Sequence, residues 1–188
     1  QGTLVIGLAR GGVVVASVIA SELHLPLLVL VVKKIPSPGS PELAIGAVAP
    51  NGVTIVDRDR AGIVGADETY IRDGIKRLEE VVKEKMTAYY KNKPIPSVRG
   101  KQVLLVDDGV ATGATMEAAI AWCRKMRSGA IIVAAPVIAD DTVSRLKKNV
   151  SDIVPLEVAY DMGAVGEYYR NFEQVEDRDV IQLIQTNA

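Results

Sequence analysis

"LLVDDGVATGAT", Leu104 to Thr115, decides the fold. A run of apolar residues reaches two adjacent aspartates, and seven residues without charge and with little side chain follow. The stretch reads as strand, turn and helix. The strand ends near Val106, and the helix begins near Thr115, whose hydroxyl is expected to cap it. Between them Gly109, Ala111, Gly113 and Ala114 let the backbone curl and expose its N–H groups. Thr112 and Thr115 add hydroxyl donors. Amides gathered at a helix N-terminus form an anion cradle, above all for phosphate. Phosphate repels carboxylates, so Asp107 and Asp108 need a different partner. Sugar hydroxyls satisfy them, as does Mg²⁺ held directly or through water. A ribose 5-phosphate fits both halves. At the carboxyl end of a central strand, the pair stands where open α/β sheets bind ligands.

Outward from this stretch, short runs of Val, Ile and Leu alternate with segments of helical period. Strands are expected at Thr3–Leu8, Leu27–Val32, Gly52–Val56, Gln102–Val106 and Ala130–Val137, and a weaker one at Ile153–Val158. Several are apolar at successive positions, which suits strands covered on both faces of a parallel sheet. Helices are expected at Val13–Leu23, Asp67–Tyr90, Thr115–Arg127, Asp141–Lys148 and Asp177–Gln185. The second is the clearest. Ile71, Ile75, Leu78, Val82, Met86 and Tyr89 form one apolar stripe. Asp67 and Glu68 stand at its start and lysines at its end, as the helix dipole favours. The expected fold is α/β: an open, mainly parallel sheet flanked by helices, with right-handed crossovers and a small C-terminal hood segment. Residues 1–156 would form the core and residues 157–188 the hood and a last helix.

"KKIPSPGSPE", Lys33 to Glu42, breaks the rhythm with three prolines and a glycine and reads as a long loop. "DRDRAG", Asp57 to Gly62, reads as a solvated charged turn that could contribute Arg58 or Arg60. "GLARGGVVVA", Gly7 to Ala16, repeats the design of the first motif at another strand end. Its glycines let N–H groups face an anion, and Arg10 adds a fixed fork of donors.

"VLLVDDGVATGAT" resembles the phosphoribosyl-pyrophosphate signature of the type I phosphoribosyltransferases, departing from it at Gly109, where an apolar residue is usual. "ARGG" is similar to the version in xanthine-type purine enzymes and their uncharacterised relatives. The resemblance implies that Asp107 and Asp108 take the ribose 2′ and 3′ hydroxyls. It implies that Ala111, Thr112, Gly113, Ala114 and Thr115 grip the 5′-phosphate. Arg10, Gly11 and Gly12 would meet pyrophosphate, in a loop that often carries a strained peptide bond. It implies Mg²⁺ as cofactor and a mobile loop that shuts over the site. That loop is expected within residues 33–66, with Lys34, or less strongly Lys33, brought to the pyrophosphate. "AYDMGAV", Ala159 to Val165, faintly resembles the base-covering segment of the xanthine-type enzymes. There Tyr160 could stack on a ring and Asp161 could accept from a ring N–H. Core packing for Tyr160 and a turn role for Asp161 serve those residues equally well. Enzymes for 6-oxopurines commonly place a lysine after the strand that follows the signature helix, and "AIIVAAPVIAD" has none.

The implied reaction is transfer of a phosphoribosyl group to a nitrogen acceptor, a nucleobase first, with release of pyrophosphate. A non-catalytic sensor of the same donor on the same fold remains open. A receiver domain is disfavoured, because there the paired acids come on the first strand. A P-loop is excluded, because no Gly-Lys-Ser/Thr follows. The formal net charge of −1 gives no overall basic footprint for nucleic acid or an anionic membrane. Apolar runs are too short for a bilayer. One cysteine, Cys123, excludes a disulfide framework and fits a reducing, cytoplasmic setting. It reads as a small buried residue, and the lone His24 as an inter-element residue. Family members often dimerise, so a homodimer is an expectation, although no interface is legible. The chain opens without methionine, and relatives often carry an N-terminal helical piece. A preceding native segment is therefore expected.

Overall fold

The computed structural model describes residues 2–186. Strand β1 (Thr3–Leu8) leads through helix α1 (Gly11–Leu23) into β2 (Leu27–Leu30). Then come β3 (Lys33–Ser37), β4 (Ser40–Ala49), β5 (Val53–Val56), α2 (Arg58–Ile63) and α3 (Glu68–Tyr89). The second half runs β6 (Gln102–Val106), α4 (Ala114–Lys125), β7 (Ile131–Ala139), α5 (Asp140–Leu146) and β8 (Asp152–Ala159). A 3-10 turn (Val165–Tyr168) and α6 (Asp177–Thr186) complete it.

The main sheet has five strands in the order β2-β1-β6-β7-β8, and every pairing is parallel. From β1 the chain steps outward to β2. It returns to β6 on the other side of β1 and then steps away through β7 and β8. The direction of winding therefore reverses between β1 and β6, which is where such sheets leave a crevice at their carboxyl ends. Residues 4–8 of β1 and all of β2 are buried, as continuous apolar runs in a doubly covered sheet should be. β8 continues to Ala159 and pairs with β7 to its end, so residues 157–159 belong to the sheet and not to the hood.

The proline-rich stretch is not a loop. β3 and β4 form an antiparallel hairpin, and β5 adds a third strand to make a separate small sheet. Pro38 and Gly39 form its turn, with Gly39 at φ 75°, the pairing a type II turn favours. The register shifts on both sides of Pro36, where a residue without an N–H is tolerated. The charged "DRDRAG" segment is a short helix, α2. Asp57 caps it by accepting from the Arg60 amide at 2.9 Å.

α3 follows the expected stripe. Ile71, Val82, Met86 and Tyr89 are buried, and Ile75 and Leu78 pack against the core. Asp67 caps its start through the Tyr70 amide at 2.7 Å. Its last turn carries no basic residue; Lys91 and Lys93 fall beyond the helix. Just after it, the Tyr90 hydroxyl donates to the Val29 carbonyl and accepts from the Val29 amide, both at 3.0 Å. One hydroxyl thus satisfies both backbone groups of Val29 on the outer edge of β2, where a further strand would pair. Burial pushes that phenol up to about 12, so it stays protonated at neutral pH. Tyr90→Phe is expected to cost about 1–3 kcal/mol, because it strands two backbone groups. A lower urea midpoint with an unchanged slope, and faster exchange of the Val29 amide, would check it.

Cys123 is fully buried and burial pushes its thiol up to about 12, which keeps it inert. Its neighbour Trp122 donates to Asn51 at 3.0 Å. His24 caps α1 in the left-handed conformation at φ 52°. Among the described residues no helix is long and apolar enough to cross a membrane.

Candidate functional site

Two strand-to-helix turns meet at the winding reversal: Ala9–Gly12 after β1 and Asp107–Gly113 after β6. Their closeness explains the glycines. A Cβ on Gly11 would stand 1.7 Å from Asp108 Oδ2. A Cβ on Gly12 would stand 2.8 Å from Asp107 Cα and 2.9 Å from the Val106 carbonyl oxygen. Both glycines make room for the acids of the other turn. The Ala9–Arg10 peptide is cis.

The two aspartates sit side by side with little to neutralise them. Burial first, and the neighbouring Asp108 carboxylate second, push Asp107 well above the ordinary aspartate range. Burial also raises Asp108, against the pull of hydrogen bonds from Asp107 and from its own and the Gly109 amides. Lys34 lowers both slightly, and no ion pair within the described residues engages either acid. The Asp108 amide donates to Asp107 Oδ1 at 3.0 Å. A ligand that brings hydroxyl donors or a cation would relieve this pair.

Thr115 does not cap α4. The helix starts one residue earlier, at Ala114, with Gly113 in the capping position at φ 78° and no side chain bonded to the first amides. Only glycine takes that angle readily, so the cap position is fixed by backbone shape. The first-turn amides are left free to hold an anion. Gly109 also has a reason. A Cβ there would lie 2.4 Å from Val165 Cγ1, so the 3-10 turn supplies the apolar group that the turn itself lacks.

A pocket of about 350 Å³ joins these parts. It is lined by Arg10, Gly11, Lys34, Asp107, Asp108, Ala111, Thr112, Gly113 and Thr115, all singled out from sequence. Lys33, Met116 and Val165 line it as well. Burial, with Lys85 and Arg10 nearby, lowers Lys33, while Asp177 pulls the other way. Arg10 lies 3.7 Å from Glu176 across an ion pair, and Asp177 takes hydrogen bonds from Lys85 (2.6 Å) and the Tyr89 hydroxyl (2.5 Å). Gly12 lies beneath the acids, and Ala114 begins α4 without lining the pocket. Tyr160 is 89% exposed and outside the pocket. Asp161 is exposed too, its carbonyl accepting from Tyr168 at 3.4 Å.

A second cleft of about 290 Å³ shares Arg10, Gly11 and Asp108 with the first. Its far wall holds Tyr169 and Phe172, whose rings lie 5.2 Å apart at 47°. The Tyr169 hydroxyl donates to the Asp108 carbonyl at 2.6 Å, tying the hood to the acid turn. Val165 and Tyr169 escaped the sequence reading as site residues, because each reaches the site from a hood whose position no local pattern gives. The clustering of Tyr160, Tyr168, Tyr169 and Phe172 in the tail was the one available signal. Lys33, the weaker of the two lysines expected there, lines the pocket beside Lys34. Larger clefts of about 640 and 810 Å³ elsewhere contain neither acid.

The chain is similar to known proteins along its whole length. It is 34% identical over 185 residues to Rv0571c of Mycobacterium tuberculosis H37Rv, whose name assigns it only provisionally to the phosphoribosyl transferases. The MT0597 protein of strain CDC 1551 matches equally. The match takes in 98% of this chain and 42% of each of those proteins, so the chain spans about two fifths of their length. The crystal structure of TT1426 from Thermus thermophilus superposes with a TM-score of 0.81 at 38% identity, covering all of this chain and 89% of that one. The model of the phosphoribosyl transferase domain matches residues 1–169. With that domain spanning the sheet and both turns of the pocket, the chain belongs to the phosphoribosyl transferase family.

Proposed function

We propose that this chain binds 5-phosphoribosyl 1-pyrophosphate in the 350 Å³ pocket and transfers its phosphoribosyl group to a nitrogen acceptor, a nucleobase first, releasing pyrophosphate. One observation carries the reading. A single pocket sets an uncapped helix N-terminus and a cationic wall of Arg10, Lys33 and Lys34 around a half-buried pair of acids. An anion at each end and a diol between them is the ligand that this order of charges suits. The amides of residues 112–115 take the 5′-phosphate, with Thr112 and Thr115 adding hydroxyls. Asp107 and Asp108 accept from the ribose diol and lie beside the positive charge that develops on the sugar as its bond to pyrophosphate breaks. Arg10 and Lys34 hold the departing pyrophosphate. The acceptor nitrogen forms the new bond to the anomeric carbon from the adjoining cleft, where Tyr169 and Phe172 offer aromatic faces to a planar ring.

Mg²⁺ fits this donor set. The described residues hold no cluster of three protein ligands. Mg²⁺ ordinarily keeps waters and uses one or two carboxylates plus substrate phosphates, which the paired acids and a bound pyrophosphate supply. When bound it would neutralise the leaving group.

Pyrophosphate release from the donor, with Mg²⁺ and a panel of bases, tests the reading. Release with one acceptor class is expected. Tight donor binding without release on any base would make the chain a sensor, and no binding would remove the reading altogether. Thr112→Val is expected to weaken the donor by about 1–3 kcal/mol, the cost of a charged acceptor short of one hydrogen bond. Calorimetry with unchanged affinity would take Thr112 out of the site.

A further inference from the structure

The loop that faces the pocket at residues 111–113 is held from behind by a helix outside the signature. β7 runs past the end of β6, and Val110 pairs with it: its amide donates to the Val137 carbonyl and its carbonyl accepts from the Ala139 amide, both at 2.9 Å. α5 begins at the next residue, so its first turns land against the loop. There the fully buried Thr142 hydroxyl donates to the Ala111 carbonyl at 2.6 Å. Arg145 donates to the Thr112 carbonyl and, at 3.1 Å, to the Thr142 hydroxyl. Glu117 holds the Arg145 Nε at 2.7 Å. The packing is close enough that a Cβ on Gly113 would lie 2.9 Å from both Arg145 Nη2 and Thr142 Cγ2.

Peptide geometry turns these bonds into a directional device. In a trans peptide the carbonyl and the following N–H point to opposite sides, and both peptides here are trans. With the Ala111 and Thr112 carbonyls turned toward α5, the Thr112 and Gly113 amides face the other way. Ala111, Thr112 and Gly113 line the pocket on that side, whereas Thr142 and Arg145 do not. Among the described residues no protein group accepts from either amide.

We propose that Thr142 and Arg145 are positioning residues that aim the Thr112 and Gly113 amides at the phosphate of a bound sugar phosphate. This deepens the functional reading above and rests on it. Without them either peptide can flip, and a flip replaces a donor by a carbonyl oxygen that repels phosphate. Removing one buried hydroxyl behind the loop therefore acts on a ligand it never touches.

Ribose 5-phosphate, titrated by calorimetry into the parent, Thr142→Val, Thr142→Ser and Arg145→Lys, tests this. Thr142→Val and Arg145→Lys should each raise Kd about tenfold. Arg145→Lys keeps the charge and loses the fork, so its effect reports aim and not attraction. Thr142→Ser keeps the hydroxyl and should bind like the parent. In ¹⁵N spectra the Thr112 and Gly113 amides should shift on binding in the parent and stay still in Thr142→Val, a signature that general loosening would not give. Should Thr142→Val fail to fold, Arg145→Lys decides, since its side chain is 45% exposed. Parent affinity in both Thr142→Val and Arg145→Lys overturns the positioning role and leaves the functional reading standing; parent affinity in one removes that residue. A parent that binds no ribose 5-phosphate overturns the functional reading and this role with it.

Discussion

The Asp107→Asn/Asp108→Asn double variant is expected to melt at a higher temperature than the parent and to lose transfer activity by about a hundredfold to ten-thousandfold. The loss follows from two hydrogen bonds to charged acceptors, at about 1.5–3 kcal/mol each. The gain in stability follows from the same electrostatics. Burial raises both acids above 3.8, the ordinary aspartate value, and the neighbouring Asp108 carboxylate raises Asp107 further. Between that value and the raised one, the folded protein binds protons that the unfolded chain has released, so each acid's contribution to stability falls as pH rises. Asparagine removes this penalty and still offers an oxygen to the Asp108 amide. The melting gap between variant and parent should therefore widen as pH goes from about 4 to 7, by about 2–4 °C for each kcal/mol. Thermal scans of the ligand-free proteins at several pH values read it directly. A double variant with parental turnover would remove the acids from the reaction, and a gap that closes with rising pH would contradict the electrostatics.

Gly11→Ala and Gly12→Ala should separate function from stability at adjacent positions. The atoms that a new Cβ at residue 11 would strike belong to the Asp108 side chain, which can rotate away. Folding should survive, and donor binding should drop by about 1.5–3 kcal/mol as the carboxylate leaves its place. At residue 12 the obstacles include backbone, Asp107 Cα and the Val106 carbonyl, which cannot swing aside. Gly12→Ala should destabilise the protein by about 1–3 kcal/mol through overpacking. Urea melts and calorimetry on the pair measure both quantities. Equal stability in the two variants would mean that the turns approach less closely than described.

Much of this architecture was legible in the sequence because parallel sheets write themselves as continuous apolar runs. β1 and β6 match their expected bounds, and α3 matches to within a residue at each end. Both halves of the pocket were legible too, since paired acids, a small-residue turn and a helix start fall in register in one motif and the Arg-Gly-Gly turn gains its meaning beside it. The β3–β4 hairpin was missed because its prolines mask a strand, and they do so only by sitting where the register is irregular. Thr115 was misread as a cap because a hydroxyl beside a helix start is the common solution, whereas here the left-handed Gly113 takes the position. Tyr160 stood out as an aromatic in the hood, yet the rings that face the second cleft belong to Tyr169 and Phe172. Which aromatic turns inward depends on how the segment after β8 folds back, and that is set by distant contacts such as Tyr169 on the Asp108 carbonyl.

The pairing of β1 with β6 joins Thr3 to Gln102, with almost a hundred residues between them. Closing so long a loop is entropically costly, and such pairings slow the formation of a fold. Each strand of that seam delivers one half of the pocket. The sugar-phosphate affinity proposed for the pocket would thus belong to the finished molecule alone, and its appearance during refolding would time the moment at which these two central strands come together.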